Sequence, residues 1–150
     1  MRIMGLDVGD KRIGIALSDP LGITAQGHSV LERKTKKSDF QTINELCRQY
    51  NIETIVIGMP LNMNGTRGPR TVIIEEFARE LAQFCGKKTE FWDERLSTVS
   101  AEKVLLEADL SRKKRKGLRD KIAAVYILQG YLDRQAHGFQ DYLTEDPGKD

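Results

Sequence analysis

The chain has 150 residues, 39% of them hydrophobic and 31% charged, with a formal net charge of +2 at pH 7. This length suits one domain of ordinary size, and no Pro/Gly/Ser-rich linker divides it. No apolar run approaches the roughly 20 residues of a membrane span, and the start lacks a secretory signal pattern, so a cytoplasmic protein with no membrane contact is expected.

Residues 2–8 are almost continuously apolar, and 12–18, "RIGIALS", alternate Ile13, Ile15 and Leu17 with small residues, the period of a strand. "GDK" joins the two as a tight hairpin turn, and "DPLG" at 19–22 leads into a third strand over 23–31. After "ERKTKK", Ser38 and Gln41 make a capping box, and Phe40, Ile43, Leu46, Cys47 and Tyr50 follow at helical spacing. "TIVIG" at 54–58 is a buried fourth strand, and "MPLNMNGTRGPR" is a loop. Pro69 then opens a helix that passes Phe77, Leu81 and Phe84 and stops at Gly86. "TEFWDE" at 89–94 is the fifth strand. Ser97 or Thr98 caps a third helix to about Ala108, and a last helix covers 118–136.

Helical crossovers separate strands 1, 4 and 5, which makes those three parallel, with strands 2 and 3 an antiparallel extension on one edge. The expected fold is α/β: a mixed five-stranded sheet with helices on both faces, in one domain over residues 1–137. An acidic, flexible tail is expected over 138–150, which contains "DYLTEDPGKD".

In such sheets ligands bind beyond the carboxyl ends of the parallel strands. Asp7 lies near that end of strand 1, and Asp93 and Glu94 at that end of strand 5. Asp120 heads the apolar stripe of the last helix, in phase with Ala123, Ala124, Ile127 and Leu128, whereas Asp133 faces elsewhere. A carboxylate removed from water needs a cation. For one acid alone Arg12, Arg95 or Arg119 would serve through a plain salt bridge. Several acids on one rim repel, and oxygen-only ligation then points to Mg²⁺ or Mn²⁺, as one ion or two. Strand 4 offers no acid there, but Gly58 leaves room between strands 1 and 5, about 10 Å apart at the backbone. Gly5 and Gly9 are expected to leave space for metal and phosphate around Asp7.

The net charge is small, but its distribution is uneven. Arg112, Lys113, Lys114, Arg115, Lys116 and Arg119 form a run without an acid that ends beside Asp120, where a polyanion would enter. Lys11, Arg12 and Arg95 flank the other acids, and Arg67 and Arg70 lie near a helix N-terminus suited to phosphate. These eleven residues are the expected nucleic-acid contacts. His28 and His137 are isolated, Trp92 reads as core, and Cys47 and Cys85 read as buried thiols.

"GLDVGDKRIGIALSD" at 5–19, "IVIGMPLNMNGTRGPRT" at 55–71, "DERLST" at 93–98 and "DKIAAVYILQGYLD" at 120–133 together resemble the four signature segments of the YqgF family, also called RuvX. The resemblance implies a ribonuclease H-like fold and a bacterial cytoplasmic nuclease that matures the 5′ end of small-subunit (pre-16S) ribosomal RNA. An older assignment of the family is Holliday-junction resolution. Carried over by motif, Asp7, Glu94 and Asp120 are the catalytic, metal-holding acids, with Asp93 second to Glu94, whose longer arm better spans strand 4. The implied partners are structured RNA, branched DNA and the ribosomal small subunit, with the protein a monomer or homodimer. The competing reading keeps the fold and basic patch without cleavage, as an RNA-binding ribosome-assembly or transcription factor. A kinase-like phosphate hairpin is disfavoured because such proteins pair two domains.

Overall fold

The structure, a computed structural model, describes residues 2–96 and 112–144, excepting the side chains of 112–116 and 137–144. In chain order it contains β1 (Arg2–Val8), β2 (Arg12–Ser18), β3 (Ala25–Glu32), α1 (Lys36–Gln49), β4 (Ile52–Met59), α2 (Pro69–Cys85), β5 (Lys88–Asp93), a 3₁₀ turn (Glu94–Leu96) and α3 (Arg112–Thr144). The five strands form one sheet in the order β3-β2-β1-β4-β5. β1 is parallel to β4 and β4 to β5, while β1–β2 and β2–β3 are antiparallel. This is the mixed sheet expected from the placement of the crossovers.

Local chemistry sets the turns. The Gly9 N–H donates to the Arg12 carbonyl at 2.8 Å and closes the β1–β2 hairpin. At the β2–β3 turn Gly22 takes a left-handed φ of 71°, and Asp19 Oδ1 accepts from the N–H groups of Ile23 and Thr24. α2 begins on Pro69 and ends against Gly86, whose φ of 67° terminates the helix as expected.

Two helix boundaries differ from the sequence pattern. The cap of α1 is Thr35, whose hydroxyl accepts from Ser38 N–H at 3.1 Å, so Ser38 lies inside the first turn. The earlier start is held from outside the helix as well, because Asp39 accepts the Lys34 N–H at 3.0 Å. α3 is 33 residues long, reaching back through the basic run and forward into the stretch expected as tail. Lys and Arg are good helix formers, a single Gly117 costs only about 1 kcal/mol, and no proline intervenes before Pro147. The helix expected to start at Ser97 or Thr98 lies outside the described residues.

Each face of the sheet buries a different core. Met4, Leu6, Val8, Ile13, Ile15, Ile55 and Ile57 pack under α1 and α2 with Phe40, Ile43, Ile74, Phe77 and Leu81. Phe40 and Phe77 meet edge to face, with centroids 5.3 Å apart. On the other face Ala16, Val56 and Trp92 pack under α3 with Ala124, Ile127, Leu128 and Leu132. Strand alternation therefore assigns Leu6 to the first face and Asp7 to the second. Among the described residues no helix is long and apolar enough to cross a membrane.

Candidate active site

Asp7 lies one residue from the end of β1 and is half-buried. Its antiparallel partner on β2 is Gly14. On its other side, one step beyond the parallel pair Leu6–Ile57, stands Gly58 near the end of β4. Asp7 thus has a glycine on each flank, and each glycine lies beneath another acidic residue.

At Gly14 the reason is backbone contact. A Cβ there would stand 2.0 Å from the carbonyl oxygen of Asp120 and 2.6 Å from its carbonyl carbon, so α3 rests directly on β2. No other residue type allows that approach, which seats Asp120 over the strand position facing Asp7. At Gly58 a Cβ would lie 2.6 Å from Glu94 Oε1 and 2.6 Å from Ile127 Cδ1. The missing side chain lets the Glu94 carboxylate lie over the sheet between β1 and β5. The Glu94 carboxylate and the backbone of Asp120 accordingly lie on the face of the sheet that carries Asp7.

Asp93 and Glu94 have different partners. Asp93 aligns with Met59 across β4–β5, and its carboxylate is gripped by Arg95 through Nε at 3.0 Å and Nη2 at 2.6 Å, with the Arg95 N–H adding 3.0 Å. These hydrogen bonds hold the Asp93 carboxyl below its usual range. Arg95 also reaches the Met63 carbonyl at 3.3 Å and so ties the end of β5 to the β4–α2 loop. Glu94 is the member of the pair that sits on the glycine floor.

The expected phosphate-binding arginines are engaged within the protein. Arg70 donates to Asp10 Oδ1 at 2.6 Å and to the Val8 carbonyl at 2.8 Å, which fixes the hairpin beside Asp7 and lowers the Asp10 carboxyl. Arg67 pairs with Glu75. Arg12 donates through Nε to Asp120 Oδ2 at 2.9 Å. Lys11 is exposed at the hairpin turn, Arg119 is half-buried, and residues 112–116 are known here by their helical backbone. Arg33 also belongs to the site's frame. Its Nη1 donates to the Gly9 carbonyl at 2.7 Å, a contact between residues 24 apart for which the sequence carries no local signal.

Two glycine assignments need correction. A Cβ at Gly5 would meet Leu128 Cβ at 2.7 Å and the Ala124 carbonyl oxygen at 3.1 Å, so Gly5 admits α3 against β1. A Cβ at Gly9 would meet the Arg12 carbonyl oxygen at 2.9 Å, so Gly9 serves the hairpin. The glycines that shape the acidic rim are Gly14 and Gly58. Gly14 was legible only as a small residue within an alternating strand.

Three carboxylates with no nitrogen or sulfur donor among them are a donor set that suits a hard divalent cation, and the absent side chain at Gly58 admits the Glu94 carboxylate to this face of the sheet. Among the described residues, no group of three acids, histidines or cysteines stands close enough to ligate one ion. The remaining singled-out residues are structural. Trp92 is buried against Gly130, His28 contacts Ser29 Oγ and the Tyr50 hydroxyl, and Cys47 is buried with Cys85 packed beside it. The His137 side chain lies outside the described set.

The model of the family described as "RuvX: Holliday junction resolvase" matches residues 1–134. A protein of Syntrophomonas wolfei named "Putative pre-16S rRNA nuclease" is 62% identical over 95% of this chain and 100% of its own length. Proteins of the same name from Clostridium botulinum and Carboxydothermus hydrogenoformans are 56% and 55% identical, each over 89% of this chain and 98% and 96% of their own lengths. Among solved structures, Thermus thermophilus RuvC in complex with a Holliday junction substrate superposes with a TM-score of 0.55 at 13% identity, covering 91% of this chain and 96% of that one. The fowlpox virus Holliday junction resolvase gives 0.52 at 16% identity, covering 90% and 99%. At those identities the likeness concerns the fold, and it agrees with the ribonuclease H-like sheet expected from the sequence. The family match over nearly the whole chain and the high identity of full-length relatives establish that this protein belongs to the RuvX family of nucleases.

Proposed function

We propose that the protein is a metal-dependent endonuclease of the cytoplasm that cleaves structured RNA, with the 5′ extension of pre-16S ribosomal RNA as its substrate. The observation that supports this reading is that the Glu94 carboxylate, over Gly58, and the backbone of α3 at Asp120, over Gly14, lie on the same face of the sheet as Asp7. Those three acids would hold Mg²⁺ or Mn²⁺, as one ion or two. A divalent cation so held supplies Lewis-acid activation of water and neutralisation of a leaving oxygen. The chain's own part is positional. β1 and the β1–β2 hairpin, braced by Arg70 and Arg33, fix Asp7. β4 gives up its side chain at Gly58 so that Glu94 reaches inward, and α3 delivers Asp120. Lys11, Arg119 and the basic first turns of α3 are the phosphate-binding rim, and they make affinity fall steeply with salt. The substrate assignment is supported by the name shared by the full-length relatives.

The test is cleavage of a 5′-extended small-subunit rRNA precursor with Mg²⁺ or Mn²⁺, with Asp7→Asn alongside. Cutting that needs both metal and Asp7 is expected. Undiminished cutting by the variant would remove the assignment, and tight RNA binding without turnover in either protein would replace it with an assembly factor. A second reading, resolution of four-way DNA junctions, is favoured by the family's description. It requires two active sites related by a twofold axis, so symmetric junction cleavage by a dimer would establish it and a strictly monomeric protein would exclude it.

A further inference from the structure

Arg12 is the first residue of β2, and Asp120 lies on α3, 108 residues later. Their side chains are only 23% and 19% exposed, and the Nε–Oδ2 distance of 2.9 Å is that of a charge-assisted hydrogen bond. The pair closes at the place where the helix backbone rests on Gly14, two residues along β2 from Arg12. The backbones that carry both residues are therefore held together by the fold. Removal of one partner would leave the other as a largely buried charge without its counter-ion.

This contact stands in an unusual place. Asp120 lies on the face of the sheet that carries Asp7 and the Glu94 carboxylate, and like charges brought together raise one another's energy. Asp120 is paired there with the Arg12 guanidinium. A divalent cation bound to the same carboxylate would be repelled by that guanidinium.

We propose that Arg12 is a resident cation that occupies Asp120 in the metal-free protein and releases it when a divalent ion binds, so that filling the metal site exchanges one counter-ion of Asp120 for another. This rests on the nuclease reading above. Arg12 thereby lowers the affinity for metal while stabilising the empty site, and it is a positioning residue for Asp120.

The direction is opposite to that of an ordinary site-forming residue, which makes it testable. Calorimetric titration with Mn²⁺, without nucleic acid, should show Arg12→Gln binding the ion about tenfold more tightly than the unaltered protein, with Arg12→Lys between them. The Arg12→Gln protein should melt lower without metal and gain more from saturating Mn²⁺. Equal or weaker Mn²⁺ binding by Arg12→Gln would overturn the proposal and leave the nuclease reading standing. No Mn²⁺ binding by either protein would overturn both. If Arg12→Gln does not fold, the unaltered protein decides: the Arg12 Nε–H resonance should shift on titration with Mg²⁺, and an unmoved resonance at saturation would overturn the exchange.

Discussion

The two faces of the sheet are built on opposite rules. Under α1 and α2 the strands present Met4, Leu6, Ile13, Ile15, Ile55 and Ile57, all within 1% of full burial. Under α3 the same strands present Gly5, Gly14, Ala16, Val56 and Gly58, and the helix answers with Ala123 and Ala124. Large side chains on the first face fill space and hold the helices off at ordinary packing distance. Small ones on the second let α3 descend until backbone meets backbone at Gly14, and the descent brings Asp120 to the acids of β1 and β5. The first face serves packing, and the second, which buries Trp92, Ile127 and Leu128 as well, also serves position. Neighbouring residues of one strand can therefore have unrelated roles, as Leu6 and Asp7 do.

The sharpest way to break that division is to alter those two neighbours separately. Leu6→Ala should cost about 2–5 kcal/mol of stability in urea denaturation while leaving cleavage per folded molecule unchanged. Asp7→Asn should do the reverse: a loss of about a hundredfold or more in cleavage rate, with the fold intact by circular dichroism. Equal damage to both properties by either variant would erase the distinction. Gly14→Ala tests the point where the faces are coupled. Its Cβ meets backbone that can yield only by moving α3, so stability should fall by about 1–3 kcal/mol and cleavage should fall with it. Thr35→Ala removes the α1 cap on the first face, and about 1 kcal/mol in denaturation with unaltered cleavage is expected.

The smallest effect is one of pH. Because Arg95 holds the Asp93 carboxyl below its ordinary value, their contact contributes in full above the usual carboxylate range and is lost as pH falls through the depressed value. The difference in melting temperature between the parent and Arg95→Gln should be constant near neutrality and close as the pH is lowered below about 4. A difference that widened in acid would mean that Arg95 acts through some other partner.

Much of this was legible in the chain itself. Alternation in "RIGIALS", the turn residues at 9–11 and 19–22, Pro69 and Gly86 gave the elements, and the crossovers gave the parallel and antiparallel pairings. Boundaries set by competition were less legible. Thr35 and Ser38 are both competent caps, and Asp39 reaching back to the Lys34 N–H holds the earlier start. The acids were visible as charges out of place in apolar patterns, but their partners were not. The pairing of Asp120 with Arg12, of Asp93 with Arg95, and of Arg70 and Arg33 with the hairpin carbonyls depends on which side chains meet across the fold.

The sequence by itself determined the sheet and its mixed pairing, because hydrophobic period and turn chemistry act over a few residues and leave local marks. Tertiary structure decided which glycines matter and which charges are already paired. A Cβ at Gly14 is intolerable only because α3 arrives there, and Arg12 neutralises Asp120 only because the fold brings together two residues 108 positions apart.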